Sequence, residues 1–263
     1  MITVTPLPAF SDNYLWLLQR DGVAAVVDPG DGDVVLQALR ERSLRLGAIL
    51  ITHHHPDHVG GLAALRRAFD VPVYGPRAEA RQIAGLTVLL DHGDRVDLPE
   101  LAVSFEVLSV PGHTLGHIAY HEARAKLLFC GDTLFAAGCG RLFEGTPHQM
   151  YASLRSLREL PADTAVYCAH EYTLANLDFA RTAEPSNSEI GQEIERVRAL
   201  RGAGRPSVPS DLRRERAVNP FLRCELAALR DAAAAHAGRT LLEAEDVFAV
   251  LRQWKDEFKS ALR

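Results

Sequence analysis

Thr52-His53-His54-His55-Pro56-Asp57-His58 follows the apolar run Ala48-Ile49-Leu50-Ile51 and precedes Gly60-Gly61-Leu62. The run reads as a buried strand that stops where the histidines begin, and the double glycine opens a helix. Imidazole and carboxylate are borderline-to-hard ligands, and so many within a few residues have few uses besides metal. In extended backbone His53 and His55 point to one face and can grip one ion, while His54 points away. Asp57 and His58 are adjacent, so in a turn they diverge and suit a neighbouring ion. The spacing therefore suggests two metals side by side, with a histidine-rich surface loop as the alternative.

A metal site needs partners from elsewhere in the chain. Val110-Pro111-Gly112-His113-Thr114, Phe129-Cys130-Gly131-Asp132-Thr133 and Val166-Tyr167-Cys168-Ala169-His170 are each an apolar run ending in a ligand-type residue. Each puts that residue at a strand end or in the following loop. His53, His55 and His113 then make one site, and Asp57, His58 and His170 a second. Asp132 is the natural bridge, since one carboxylate has two oxygens to share.

This H-x-H-x-D-H pattern, with a later His, an Asp and a last His, resembles the metallo-β-lactamase superfamily. The nearer resemblance is to glyoxalase II, the hydroxyacylglutathione hydrolases. It runs through Thr52–Gly61, Cys130–Phe135, Tyr167–Tyr172, Ala137-Gly138-Cys139-Gly140-Arg141, Glu144-Gly145-Thr146 and Val218–Arg223, and so covers nearly the whole chain. The fold this implies is α+β: an αββα sandwich with an all-helical C-terminal domain. The implied activity is hydrolysis of an S-(2-hydroxyacyl)glutathione thioester, typically S-lactoylglutathione, to a 2-hydroxy acid (lactate) and glutathione, the second step of methylglyoxal detoxification. Two other readings stay open: a mononuclear iron persulfide dioxygenase of the same superfamily, and a non-catalytic metal-binding protein.

At 263 residues the chain can hold one large domain or a domain with an appendage. A hydrophobic content of 47% with 24% charged residues is ordinary for a globular protein. The net charge of −5 argues against a nucleic-acid surface. No stretch approaches the ~20 apolar residues of a membrane span, and the start, Met1-Ile2-Thr3-Val4-Thr5-Pro6, lacks a signal pattern. Cys130, Cys139, Cys168 and Cys224 form no Cys-x-x-Cys pair, Cys130 and Cys168 end strand-like runs and read as small buried hydrophobes, and the cytoplasm is the expected compartment. A monomer is expected.

Along the chain, Tyr14–Gln19 and Val23–Asp28 read as strands joined by the hairpin pair Asp21-Gly22. Val34–Arg42, Leu62–Phe69 and Arg77–Ala84 have helical spacing. Pro72–Tyr74, Thr87–Leu90, Leu101–Val110, His117–His121 and Lys126–Cys130 read as strands. After Tyr172 no strand is expected, and Leu174–Ala183, Glu189–Leu200, Leu222–Ala235 and Ala244–Phe258 read as helices, the second capped by Asn187 or Ser188. The expected domains are 1–172, metal-binding and catalytic, and 173–263, helical and substrate-binding.

Two divalent ions ~3.5–4 Å apart can share a hydroxide, polarise a carbonyl and hold the leaving group. Asp57 and Asp132 are the expected catalytic carboxylates. Zinc is the first expectation, although nitrogen and oxygen ligands accept iron or manganese as well. Glutathione carries two carboxylates, so its pocket needs cations. The resemblance assigns that role to Arg141, Tyr172, Arg252 and Lys255, the last two sharing a helix face at i and i+3. Phe143 is expected to touch substrate as well, and stands where many relatives carry tyrosine. Of the remaining histidines, His54 is expected to face away and bond its own strand, and His117 to support a ligand. Asp12 and Asp28 sit near strand or loop ends where a carboxylate can orient a ligand.

Overall fold

A computed structural model describes residues 2–262. Met1 and Arg263, the outer limits of the two expected domains, lie outside the described residues. The described chain forms two compact units that interleave along the sequence. The first runs up to Val110 and adds Leu115–Gly131 and Tyr167–His170; the second holds Pro111–Thr114, Asp132–Val166 and the chain from Glu171 onward.

The first unit opens with a sheet in chain order: β1 (Thr3–Ala9), β2 (Asn13–Arg20), β3 (Val23–Val27), β4 (Arg45–Leu50), β5 (Val73–Pro76) and β6 (Val88–Leu90). The first three strands are antiparallel, and β4, β5 and β6 continue parallel to β3. At the β2–β3 turn Asp21 and Gly22 both have positive φ, 48° and 81°, as the Asp-Gly pair predicts. Three helices intervene: α1 (Gly32–Glu41), α2 (Pro56–Val59) and α3 (Leu62–Ala68). The Asp31 carboxylate accepts from the backbone of Asp33 and Val34 and starts α1.

Period-two alternation divides the sheet's buried residues between two faces. Leu15, Leu17, Ala24, Val26, Ile49 and Ile51 pack with Val35, Ala38 and Leu39 of α1 and Leu62 and Leu65 of α3. Trp16, Leu18, Ala25, Val27, Ala48 and Leu50, of the opposite parity, are buried as well. A sheet apolar on both faces needs two covers. The second is an antiparallel sheet of β7 (Arg95–Leu98), β8 (Val103–Ser109), β9 (Ile118–Glu122) and β10 (Leu127–Gly131). The Trp16 ring meets Tyr167 edge-on at 4.9 Å, and Tyr167 stacks on Phe129 of β10 at 4.9 Å. The Tyr120 hydroxyl of β9 donates to Ile51 O at 2.8 Å.

The second unit begins with a short hairpin, β11 (Leu134–Phe135) and β12 (Gly138–Cys139), followed by α4 (Pro147–Arg158). A reciprocal pair of bonds between Thr146 and Gln149 caps α4, with Pro147 at its first turn. The start of β13 (Ala165–Cys168) pairs antiparallel with β14 (Ser210–Asp211), and its last residues pass into the first unit. The rest is helical: α5 (Thr173–Ala183), α6 (Ser188–Gly202), α7 (Leu212–Val218), α8 (Ala227–Ala237) and α9 (Ala244–Glu257). Asn187 caps α6 by accepting from Glu189 N at 3.1 Å. Leu177 and Ala180 of α5, Ile190, Ile194 and Val197 of α6 and Val218 of α7 form one core.

Several local expectations need correction. Arg77–Ala84 is no α-helix: a single 3-10 turn spans Arg77–Glu79, because the Glu79 carboxylate turns inward to His54 and Gly116 N. The helix expected from Leu222 starts at Ala227, since Asn219 caps a separate 3-10 turn over Pro220–Leu222. β14 is a strand where none was expected; it exists because β13 offers it an edge. β1, β7, α4 and α7 carry no strong periodicity, being short or mixed with prolines and charges, and were not expected.

Replacing Trp16 with alanine tests the contact between the sheets. It deletes the ring and the Nε1 donation to Cys168 O, 3.0 Å in the wild type. The expected cost is about 3–5 kcal/mol in urea unfolding. A cost below about 1 kcal/mol would mean that Trp16 does not join the sheets.

Candidate active site

The candidate ligands of the first unit lie where its parallel strands end. β4 delivers Thr52 and His53, and the chain then runs through His55 into α2, which carries Asp57 and His58. β3 ends at Asp28, held at φ 51°. Its carboxylate accepts from Thr52 N and Thr52 Oγ1, both at 2.7 Å, and from His58 Nδ1 at 3.0 Å. A carboxylate only accepts, so His58 carries its proton on Nδ1 and keeps the Nε2 lone pair. Thr52 spends its one proton on Asp28, so its oxygen accepts from His53 Nδ1 at 3.1 Å. His170 repeats the pattern, with Nδ1 on Asp12 Oδ1 at 2.8 Å. Gly30 is required here, because a Cβ on it would fall 1.8 Å from the Asp57 carbonyl oxygen.

The atoms left facing one another are metal-ligand atoms. His53 Nε2 and His55 Nδ1 lie 3.1 Å apart. Asp57 Oδ2 is 3.5 Å from both His58 Nε2 and His170 Nε2, and Asn13 donates to that oxygen at 2.9 Å. Two ligands, each ~2.0–2.2 Å from a tetrahedral ion, stand roughly 3.3–3.5 Å apart, which fits the two 3.5 Å spacings around Asp57 better than hydrogen bonds do, while the His53–His55 contact is close enough for either. The imidazole–carboxylate pairs behind the ligands are those that tune metal-bound histidines. The donor set thus suits a divalent ion.

His54 turns away, as its place in the triplet predicts, and bonds Glu79 Oε2 at 2.9 Å. His117 is buried, stacks on His53 at 4.5 Å between centroids and points Nδ1 at Ile118 O. Both therefore steady the loop that carries the ligands.

In the second unit His113 and Asp132 form a like arrangement. His113 Nδ1 donates to Arg141 O at 2.9 Å, which leaves Nε2 facing Asp132 Oδ2 at 3.4 Å. These two residues line a cavity of about 430 Å³ that also holds Phe135, Cys139, Arg141, Phe143, Tyr172, Asn176, Arg252 and Lys255. All five residues expected to touch substrate are among them. Phe143 is 63% exposed and sits edge-on to His113 at 5.2 Å; Tyr172 sits edge-on to Phe135 at 5.5 Å.

The two α9 cations differ. Arg252 is 5% exposed, donates through Nη1 to Cys139 O at 2.8 Å and pairs through Nη2 with Asp256 at 3.0 Å. Arg252 thus braces backbone as well as lining the cavity. Lys255 is half-buried over the rings of Phe179 and Phe258, and its ammonium donates to Ala175 O at 3.3 Å. Burial first, then the charges of Arg252 and Arg141, lower Lys255 to about 8. Asp12, Asp28, Asn13 and Glu79, which hold ligands or their loop, carried only faint signals in the sequence. For Asp28 the signal was Asp-Pro-Gly at a strand end.

Residues 10–170 match the metallo-β-lactamase superfamily, and residues 171–258 match the hydroxyacylglutathione hydrolase C-terminus. A hydroxyacylglutathione hydrolase of Nitrosomonas europaea is 49% identical over 98% of this chain and 97% of its own length. One from Alkalilimnicola ehrlichii is 53% identical over 98% of this chain and all of its own. The crystal structure of ETHE1 from Myxococcus xanthus superposes with a TM-score of 0.66 at 25% identity, covering 97% of this chain and 91% of that one. The expected fold class, an αββα sandwich with a helical C-terminal region, is the one these matches carry. Among the described residues no helix is long and apolar enough to cross a membrane.

Asp28→Asn should lower metal affinity by about 10–100-fold, because His58 loses the anion that orients it. Metal retained per chain across a chelator series measures this. Retention equal to the wild type would remove Asp28 from the metal centre.

Proposed function

The chain belongs to the hydroxyacylglutathione hydrolases of the metallo-β-lactamase superfamily, and on that footing we propose that it hydrolyses S-(2-hydroxyacyl)glutathione, S-lactoylglutathione first, to a 2-hydroxy acid and glutathione. The observation that carries this reading is the cavity that holds His113 and Asp132 together with Arg141, Tyr172 and Lys255. It combines ligand-type residues with cations suited to glutathione's carboxylates.

We propose that His53, His55 and His113 hold one divalent ion and that Asp57, His58 and His170 hold a second, with Asp132 serving both. Zinc is the proposed ion, with iron or manganese as alternatives. Bound ions would supply Lewis-acid polarisation of the thioester carbonyl and acidify the attacking water. The chain's own residues do the rest. Asp28, Asp12 and the Arg141 carbonyl hold the Nδ1 protons of His58, His170 and His113, so that each Nε2 lone pair faces inward. Asn13 holds Asp57. Arg141 and Lys255 bind the glutathione carboxylates, and Tyr172 and Phe143 wall the thioester. In the reaction the water oxygen bonds to the acyl carbon, the carbon–sulfur bond breaks and a proton ends on the glutathione sulfur. We further propose a division near residue 172 into a catalytic and a substrate-binding domain, in a cytoplasmic monomer that takes no nucleic acid.

Thioester loss at ~240 nm with metal analysis of the same sample tests this reading. Oxygen uptake with a persulfide, and no thioester loss, would favour the dioxygenase instead. Asp132→Ala should cost more activity than any single histidine, because it alone would serve both ions. His54→Ala should keep both metals, and loss of one would mean that the wrong histidines were assigned. Lys255 adds a pH signature: its cation is lost as pH rises through about 8, so KM should climb above that pH while kcat holds. Lys255→Arg should abolish the climb, and a KM that ignores both pH and this substitution would take Lys255 off the substrate.

A further inference from the structure

The β11–β12 hairpin is held mostly by side chains from elsewhere in the second unit. Asn219 Nδ2 donates to Phe135 O at 3.2 Å and to Gly138 O at 3.0 Å. Asn176 donates to Ala136 O at 3.0 Å, and Arg252 to Cys139 O at 2.8 Å. Glu215 Oε2 accepts from Ala137 N at 2.8 Å and from Asn219 Nδ2 at 2.9 Å, and Ser210 donates to its other oxygen. Ala137 sits at φ 55°, a region that favours glycine and that persists only where surrounding contacts impose it.

What the hairpin carries explains such a brace. Asp132 precedes β11 by two residues and Arg141 follows β12 by two. The base between them is tight: Gly140 N donates to Thr133 O at 3.2 Å, and a Cβ on Gly140 would fall 1.9 Å from Asp132 O. A shift of the hairpin therefore moves Asp132, Arg141 and, through the Arg141 carbonyl, the His113 ring. We propose that Glu215 and Asn219 are positioning residues for thioester hydrolysis, a buried pair that sets the hairpin conformation and so aims Asp132 and Arg141 into the cavity. This deepens the hydrolase reading and rests on it.

The electrostatics agree. Burial above all pushes the Glu215 carboxyl up to about 7, against the downward pull of its hydrogen-bond donors. Glu193 of α6, bonded to Arg196 and close to Arg214, adds a small upward push. Glu215 is raised above its ordinary value, so its contribution to stability is complete below the ordinary carboxyl range and lost as pH rises through about 7. A buried carboxyl with that cost points to a role that a smaller apolar residue could not fill.

Asn219→Ala tests the proposal by kcat, KM, chelator-resistant metal and amide exchange, each in folded protein. The expected result is a fall in kcat of about tenfold or more, a higher KM, weaker metal retention and faster exchange confined to the hairpin amides. Wild-type kcat, KM and metal retention beside a lower Tm would overturn it, since a structural brace alone moves only stability. If Asn219→Ala does not fold, Glu215→Ala against Glu215→Gln gives the same decision. Glutamine still accepts from Ala137 N, so it should keep activity and flatten the loss of stability between the ordinary carboxyl range and pH ~7, while alanine should lose activity. Equal activity in the two would sink the proposal. A wild-type chain inactive on every hydroxyacylglutathione would sink the hydrolase reading instead, and metal retention would still decide the hairpin's role.

Discussion

The Asp28 carboxylate is the interaction on which the metal-ligand cluster of the first unit depends. It stands at the end of β3, takes both the N–H and the hydroxyl of Thr52 at the end of β4, and takes the Nδ1 proton of His58 from α2. One buried anion thus fixes two strand ends and a helix, and through Thr52 it also sets the tautomer of His53. Each of these bonds is charge-assisted and shielded from water, so removing the anion would strand buried donors at about 1–3 kcal/mol apiece. The apolar sheet beneath makes this possible, because strands buried on both faces leave their ends little room to move.

The same logic recurs wherever a histidine must present a lone pair. Asp12 holds His170 and the Arg141 carbonyl holds His113, so the ring nitrogen left for chemistry is chosen by its partner and not by the histidine. The substrate cavity follows a related rule. Arg252 is occupied with Cys139 O and Asp256, which leaves Lys255 and Arg141 as the more adaptable cations. Lys255 keeps its stem on two aromatic rings and its ammonium within reach of the cavity.

Much was legible in the chain because ligand spacing and hydrophobic period are local properties. Thr52–His58 at the end of an apolar run announces a metal loop, since residue type and two-residue alternation decide which rings can share an ion. Asp21-Gly22 announces its hairpin because only certain residues accept positive φ there. Strongly periodic stretches such as Leu174–Ala183 and Ala244–Phe258 became α5 and α9 almost as expected. Ligands far apart in sequence were nameable because each closes an apolar run, which places it at a strand end.

Only the tertiary structure decided the partners. Glu79 abandons a helix to hold His54 and Gly116, a choice that depends on residues 25 and 37 positions away. Asp12, 158 residues from His170, orients it; its place near a strand or loop end suited it to hold a ligand, but nothing local in Ser11-Asp12-Asn13 says which one. Arg252 was legible only as a helix-face partner of Lys255 in the substrate pocket, and its bond to a carbonyl 113 residues distant was not. Nothing in the sequence assigned Glu215 or Asn219 a role of its own; the fold brings the hairpin's backbone groups beside them. The physical reason is common to all four. Periodicity and turn chemistry act over a few residues, whereas a buried donor or acceptor must be satisfied by whatever the completed fold brings within about 3 Å of it.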